Sequence, residues 1–96
     1  MADVEGAARR LLRALNDNQA HDREGAEVEP GEQEARDAGL RPDSPLYRAA
    51  VWWLLDMEAL VPDREANARA RNAAGAQHHN FRFKITRGGL DMLRRA

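Results

Sequence analysis

The sequence lacks cysteine and has one serine, one threonine and one lysine among its 96 residues. Without cysteine the chain has no disulfide bond, no thiolate metal site and no cysteine nucleophile. The serine, Ser44, and the threonine, Thr86, both stand where a helix N-cap is expected. Neither has a nearby histidine and an orienting acid in the sequence, so we expect no catalytic residues and no enzymatic activity.

Long apolar runs are also missing from the chain. The longest run covers residues 49–55, whereas a membrane-spanning helix needs about twenty apolar residues. The first residues do not show the basic-then-apolar pattern of a secretory signal. These features predict a cytoplasmic protein.

Large apolar side chains are few, because eighteen of the hydrophobic residues are alanine. A chain of this length is expected to form one domain, here residues 1–96, around a small core. Two polar stretches, 16–29 and 63–80, are predicted to be its flexible segments. His78 and His79 lie in the second stretch without further ligands at a suitable spacing, so we expect no metal and no cofactor.

The charge of the chain is unevenly distributed. The net charge is −1, but residues 1–61 carry a balance of −6 and residues 62–96 a balance of +5. A basic final third can present a positive face to an anion such as a nucleic acid. The two parts can also neutralise each other within one fold, and the sequence leaves both interpretations open.

Three helices are indicated in the first two thirds of the chain. Asp3 is placed to cap an amphipathic helix that ends near residues 16–18, and Val28 is the only large apolar residue of the polar connection that follows. A short second helix begins after Pro30 and ends at Gly39. The third begins at the Ser44-Pro45 pair and is predicted to run to about Leu60.

The last third is predicted to contain a strand between two helical or irregular segments. Residues 63–80 have no large apolar side chain and are either a long loop or a partly helical excursion. Alternation from Phe81 to Ile85 predicts a strand with Phe81, Phe83 and Ile85 on its buried face. Thr86 then caps a short last helix.

This order of elements resembles the winged helix-turn-helix family over roughly residues 28–93. The resemblance is carried by ARDAGL at residues 35–40, LDMEALV at residues 55–61 and FKITRGGL at residues 83–90. It implies an α+β fold with three main helices, a small antiparallel β-hairpin called the wing, and a short C-terminal helix. The sequence departs from the family at Ala59, where a glycine is common, and in the acidic Asp56 and Glu58.

The resemblance further implies a DNA-binding transcriptional regulator whose third helix enters the major groove of double-stranded DNA. By position, the candidates for base contacts are Ser44, Tyr47 and Arg48. The candidates for contacts to the DNA backbone are Arg64, Arg69, Arg71, Arg82, Lys84 and Arg87. Alternatively, Tyr47 packs in the core, Arg48 is solvated and the other cations belong to a solvated loop.

A second hypothesis is a protein-interaction module that has this fold without binding DNA. Adjacent helical residues point about 100° apart, so Trp52 and Trp53 cannot both face one core stripe. One of them is predicted to lie at the surface, unless other helices cover both. The interface candidates are Trp52, Leu55 and Asp56, and a homodimer is compatible with either function.

Overall fold

The computed structural model describes residues 3–74 and 81–95 of the chain. The described residues form five α-helices, a π-helical turn and a three-stranded antiparallel sheet, which confirms the predicted α+β class. The helices are α1 (Val4–Leu15), α2 (Glu32–Asp37), α3 (Pro45–Asp56), α4 (Arg64–Ala74) and α5 (Arg87–Arg94). The strands are β1 (Glu27–Val28), β2 (Leu60–Pro62) and β3 (Phe83–Ile85). None of the described helices has the length and apolarity needed to cross a membrane.

The three predicted helix caps are confirmed by hydrogen bonds. The side-chain oxygens of Asp3, Ser44 and Thr86 each accept from the backbone amide three residues further on, at 3.1, 3.2 and 3.0 Å. Pro45 fills the first position of α3, where its missing amide proton leaves nothing unpaired. These caps fix the starts of α1, α3 and α5.

Helix α1 ends at Leu15, close to the predicted end near residues 16–18, and a π-helical turn at Asn16–Ala20 follows it directly. The buried Asn16 side chain holds the end of this turn in place. Its oxygen accepts from the amide of Asp22 and its nitrogen donates to the Asp22 carboxylate, both at 2.7 Å. Two hydrogen bonds between the Gln19 side chain and the Glu29 backbone, at 2.6 and 2.8 Å, then join the beginning of the polar connection to its end.

The predicted end of α3 near Leu60 is wrong, since the helix stops at Asp56. Glu58 adopts a left-handed backbone with φ of 57°. Its amide donates to the carbonyl of Leu55 at 3.0 Å, and the Ala59 amide donates to the carbonyl of Leu54 at 2.9 Å. This Schellman arrangement closes the helix and frees Leu60 to begin β2.

The sheet has the strand order β1-β3-β2 and covers the core with one face. Val28 lies opposite Phe83, and Leu60 lies opposite Ile85. All four side chains are buried, and they contact the cluster formed by the leucines of α1 and by Leu54 of α3. The packing of α1 on α3 and on the inner sheet face therefore sets which side of α3 remains outside.

In the described part of residues 63–80, helix α4 favours the helical excursion over the long loop. Asp63 caps it by accepting from the Ala66 amide at 3.0 Å. Asn67, which is buried, accepts from the amide of Arg82 at 2.7 Å and donates to its carbonyl at 3.1 Å. The excursion is thus pinned to the segment that enters β3, while His78 and His79 lie outside the described residues.

Candidate functional site

An apolar groove of about 480 Å³ lies between α3 and the sheet, and we call it the aromatic groove. Four of its residues come from α3, two are proline and two are phenylalanine. The described residues that line it carry no charged side chain, and they are Pro30, Tyr47, Val51, Trp52, Leu55, Pro62, Phe81 and Phe83.

Trp52 stands on the outer side of α3 because of helix geometry. Ala50 and Leu54 are completely buried against the core. Trp52 is two residues from each of them, about 200° around the helix, and therefore points away from the core. Its side chain is 66% exposed, whereas Trp53 is partly buried. The prediction that one tryptophan lies at the surface is confirmed, and the structure identifies it as Trp52.

Phe81 corrects the predicted strand pattern. Phe83 and Ile85 are buried as expected, but Phe81 is 61% exposed and lies before the start of β3. The clamp between Asn67 and the Arg82 backbone holds the chain just ahead of the strand. The rings of Phe81 and Phe83 have their centroids 6.4 Å apart, so both contribute to one wall of the aromatic groove.

Among the described residues that line the groove, Tyr47 alone has a hydroxyl group. Burial raises the pKa of the Tyr47 phenol, and the negative charges of Asp43 and Glu34 raise it further. The phenol therefore stays protonated at neutral pH, and no charge develops inside the groove. A neutral hydroxyl can still donate or accept one hydrogen bond to a bound chain.

Two opposite charges flank Trp52 on the exposed side of α3. Arg48 lies one turn before it and Asp56 one turn after it, and both are exposed. Neither side chain makes an ion pair or a side-chain hydrogen bond within the described part of the chain. The exposed stripe of α3 thus consists of a cation, an indole and a carboxylate, from Arg48, Trp52 and Asp56 in that order.

The predicted base-contacting residues lie at the start of α3, but their side chains are not equally free to contact a base. The Ser44 hydroxyl is engaged as the helix cap, and Tyr47 is partly buried beside the core. Arg48 is the one of the three with an exposed and unengaged charged group.

The predicted backbone-contacting cations are spread over α4, β3, α5 and the residue just before β3. Arg82 is only partly exposed and lies 3.4 Å from the carboxylates of both Glu27 and Glu29. Arg69 approaches Glu27 at 3.5 Å. These acids of the β1 region neutralise part of the basic final third. The remaining members of the set are exposed and make no ion pair among the described residues: Arg64, Arg71, Lys84 and Arg87.

The three predicted interface residues do come together at one surface. Trp52 and the partly buried Leu55 line the aromatic groove, and the exposed Asp56 follows them on α3. The sequence analysis did not predict Pro30 and Pro62 as part of this surface. The folding of distant parts of the chain brings them to the groove. No sequence signal distinguishes them from ordinary turn or strand-end prolines.

The residues that the structure describes contain no group of three or more side chains able to hold a metal ion. Comparison of the chain with protein-family models, curated proteins and solved structures found no match. The aromatic groove and the charges around it are therefore the basis for assigning a function.

Proposed function

We propose that the protein is an interaction domain of winged-helix type whose aromatic groove binds an apolar segment of another polypeptide chain. The observation that carries this proposal is the 66% exposed Trp52, placed at the middle of α3 on an uncharged groove. Exposed apolar patches on small domains mark binding surfaces. Tryptophan and tyrosine are enriched among the residues that dominate binding energies.

A polypeptide suits this surface better than a small molecule does. Small-molecule sites enclose most of their ligand and orient it with several convergent polar groups. Here Trp52 and Phe81 are both more than half exposed, and the Tyr47 hydroxyl and the Trp52 indole nitrogen are the groove's polar side-chain groups. An amphipathic helix or extended segment can lay its apolar side into such a groove.

The winged-helix assignment is supported by the order of the elements. The short α2, a turn through the left-handed Gly39, and the longer α3 follow one another as the resemblance implies. Strands β2 and β3 then pair as an antiparallel hairpin, with α4 inserted where the wing is expected. A short α5 follows β3, again in the implied order. Winged helices serve both DNA and protein partners, so the fold by itself does not choose the function.

The proposal predicts the outcome of a peptide selection against the immobilised protein. A random peptide library should yield binders that carry large aliphatic or aromatic side chains, because the lining of the groove is mostly apolar. Replacing Trp52 by alanine should weaken the selected peptides at least about tenfold, the effect of losing a central aromatic anchor. Isothermal titration calorimetry with purified variants provides the affinities.

Met57→Ala is the matched control for this experiment. Met57 is 51% exposed and directly follows α3, but it does not line the groove. This change should alter peptide affinity less than about twofold. Peptides that bind the Trp52→Ala variant as tightly as the unchanged protein would place their site elsewhere and contradict the proposal.

DNA binding is the second candidate function, and specific observations favour it. Arg48 is exposed and unengaged near the start of α3, the part of the third helix that reads bases in the resembled family. Arg64, Arg71 and Arg87 are exposed cations without an acidic partner among the described residues. It ranks second because Arg69 and Arg82 already contact acids and Asp56 stands on the same helix face.

If DNA is bound, affinity for random duplex DNA should fall steeply between about 50 and 200 mM salt. Replacing Arg64, Arg71 and Arg87 together by alanine should reduce the slope of log K against log salt by about three. Fluorescence anisotropy measures both quantities. No binding at the low-salt end, or a slope that the triple variant leaves unchanged, would remove this candidate.

A further inference from the structure

We propose that the polypeptide segment that binds over Trp52 and the aromatic groove is α3 of a second copy of the same chain. The two helices lie antiparallel about a two-fold axis that passes beside Trp52. This inference rests on the proposed function and names its partner. It is carried by the charges of the α3 face and by their positions relative to the helix ends.

The charges on the exposed side of α3 are complementary to those of a second α3 that runs in the opposite direction. Arg48, Trp52 and Asp56 are spaced four residues apart and lie within about 80° of arc on the helix. Arg48 and Asp56 are separated by about 12 Å along the axis, with Trp52 midway between them. A two-fold axis at Trp52 therefore brings Arg48 of each copy against Asp56 of the other. A two-fold contact of this kind uses the same patch on both subunits.

The positions of the two charges on α3 are unfavourable for an isolated helix. A helix carries partial positive charge at its N-terminal end and partial negative charge at its C-terminal end. Arg48 lies near the N-terminal end and Asp56 is the last residue of α3. Each charge therefore stands at the end that repels it, and neither has a partner within the described residues. An antiparallel second helix supplies a partner to both.

The same pairing covers the apolar surface that a single copy exposes. Trp52 lies at the centre of the contact, which is where aromatic anchors contribute most, and the charged pairs form its rim. Asp56 would then be neutralised in the dimer rather than directed at solvent. The dimer also covers Arg48, so self-association and DNA reading by α3 exclude each other.

Sedimentation velocity over about 1 µM to 1 mM protein tests the pairing through charge reversal. The unchanged protein should approach twice 10.8 kDa at the upper concentrations. Arg48→Asp and Asp56→Arg should each raise the dissociation constant at least about tenfold, because each reversal sets two like-charge contacts in the symmetric dimer. The double variant should return to within about threefold of the unchanged protein, since the reversed charges again match.

Arg95→Asp is the control for a change of charge alone, because Arg95 is exposed and directly follows α5, the helix that packs against α1. It should leave the dissociation constant within about twofold. All altered residues are exposed, and circular dichroism confirms that each variant is folded. A monomer throughout the concentration range, or a double variant no tighter than the single ones, overturns the antiparallel dimer.

The dimerisation and peptide-binding experiments distinguish failure of this inference from failure of the proposed function. A protein that stays monomeric but still binds selected peptides through Trp52 has an interaction groove for a different chain. A protein that neither dimerises nor binds peptides at Trp52 contradicts both. Peptide titrations are done at a protein concentration at which sedimentation shows the monomer, so the two experiments do not interfere.

Discussion

Replacing Gly89 by alanine should lower the free energy of unfolding by about 3 kcal/mol. Gly89 lies in the first turn of α5, where an added Cβ would stand 2.5 Å from the carbonyl oxygen of Ala59. That carbonyl cannot move freely, because it accepts from the amide and the hydroxyl of Thr86 at 3.0 and 3.1 Å. The added methyl group therefore separates α5 from the segment between α3 and β2, and urea unfolding measures the loss.

The neighbouring Gly88 offers a matched control. A Cβ at Gly88 would have the Thr86 hydroxyl as its nearest neighbour, at an ordinary 3.6 Å. Because alanine also has the higher helix propensity, Gly88→Ala should leave stability unchanged or raise it by up to about 1 kcal/mol. Equal effects of the two substitutions would show that propensity, not the contact with Ala59, determines the stability of this turn.

Replacing Asn67 by alanine should cost about 2 kcal/mol of unfolding free energy and weaken peptide binding in the aromatic groove. The change removes the acceptor of the Arg82 amide, and an unsatisfied backbone amide costs about 1–3 kcal/mol. The Arg82 carbonyl keeps its bond from the Asp63 amide at 3.0 Å. Loss of the clamp frees the backbone between Phe81 and Phe83, which form one wall of the groove.

Asn72 provides the comparison for this second prediction. It lies on the same helix, is exposed and makes no side-chain hydrogen bond among the described residues. Asn72→Ala should therefore change stability by only a few tenths of a kcal/mol, in the stabilising direction. Hydrogen exchange at the Arg82 amide should accelerate in the Asn67 variant alone, and unchanged exchange there would contradict the clamp.

Much of the fold could be predicted because its signals are local. A cap needs only a side-chain oxygen and an amide three residues away, so Asp3, Ser44 and Thr86 were recognisable from the sequence. The end of α3 was not recognisable from the sequence. It depends on a left-handed Glu58, a conformation that glutamate rarely adopts and that no neighbouring residue signals.

The candidate site was predictable only in part, for the same reason. Helix geometry alone requires that Trp52 and Trp53 point in different directions, and it places Arg48, Trp52 and Asp56 on one side. Which tryptophan is exposed depends on how α1 packs against α3. Alternation is a local pattern and predicts a buried Phe81, whereas the exposure of this side chain depends on the distant Asn67 clamp.

The arginine-rich final third illustrates a second limit of sequence reasoning. A count of charges over residues 62–96 gives a basic balance, but it does not show which acids lie across the sheet. Antiparallel pairing of β1 with β3 brings Glu27 and Glu29 within 3.4 Å of Arg82. Ion pairing across the fold therefore reduces the cationic surface that the sequence alone suggested.

The Trp52 face of α3 should become covered when the protein binds its partner chain. The most direct test is the fluorescence of Trp52 in a Trp53→Phe variant, where Trp52 is the only indole. We predict a blue shift of the emission and a fall in acrylamide quenching of at least about threefold, with added selected peptide or with increasing protein concentration. A complex that forms while Trp52 stays as quenchable as in the free protein would contradict the claim.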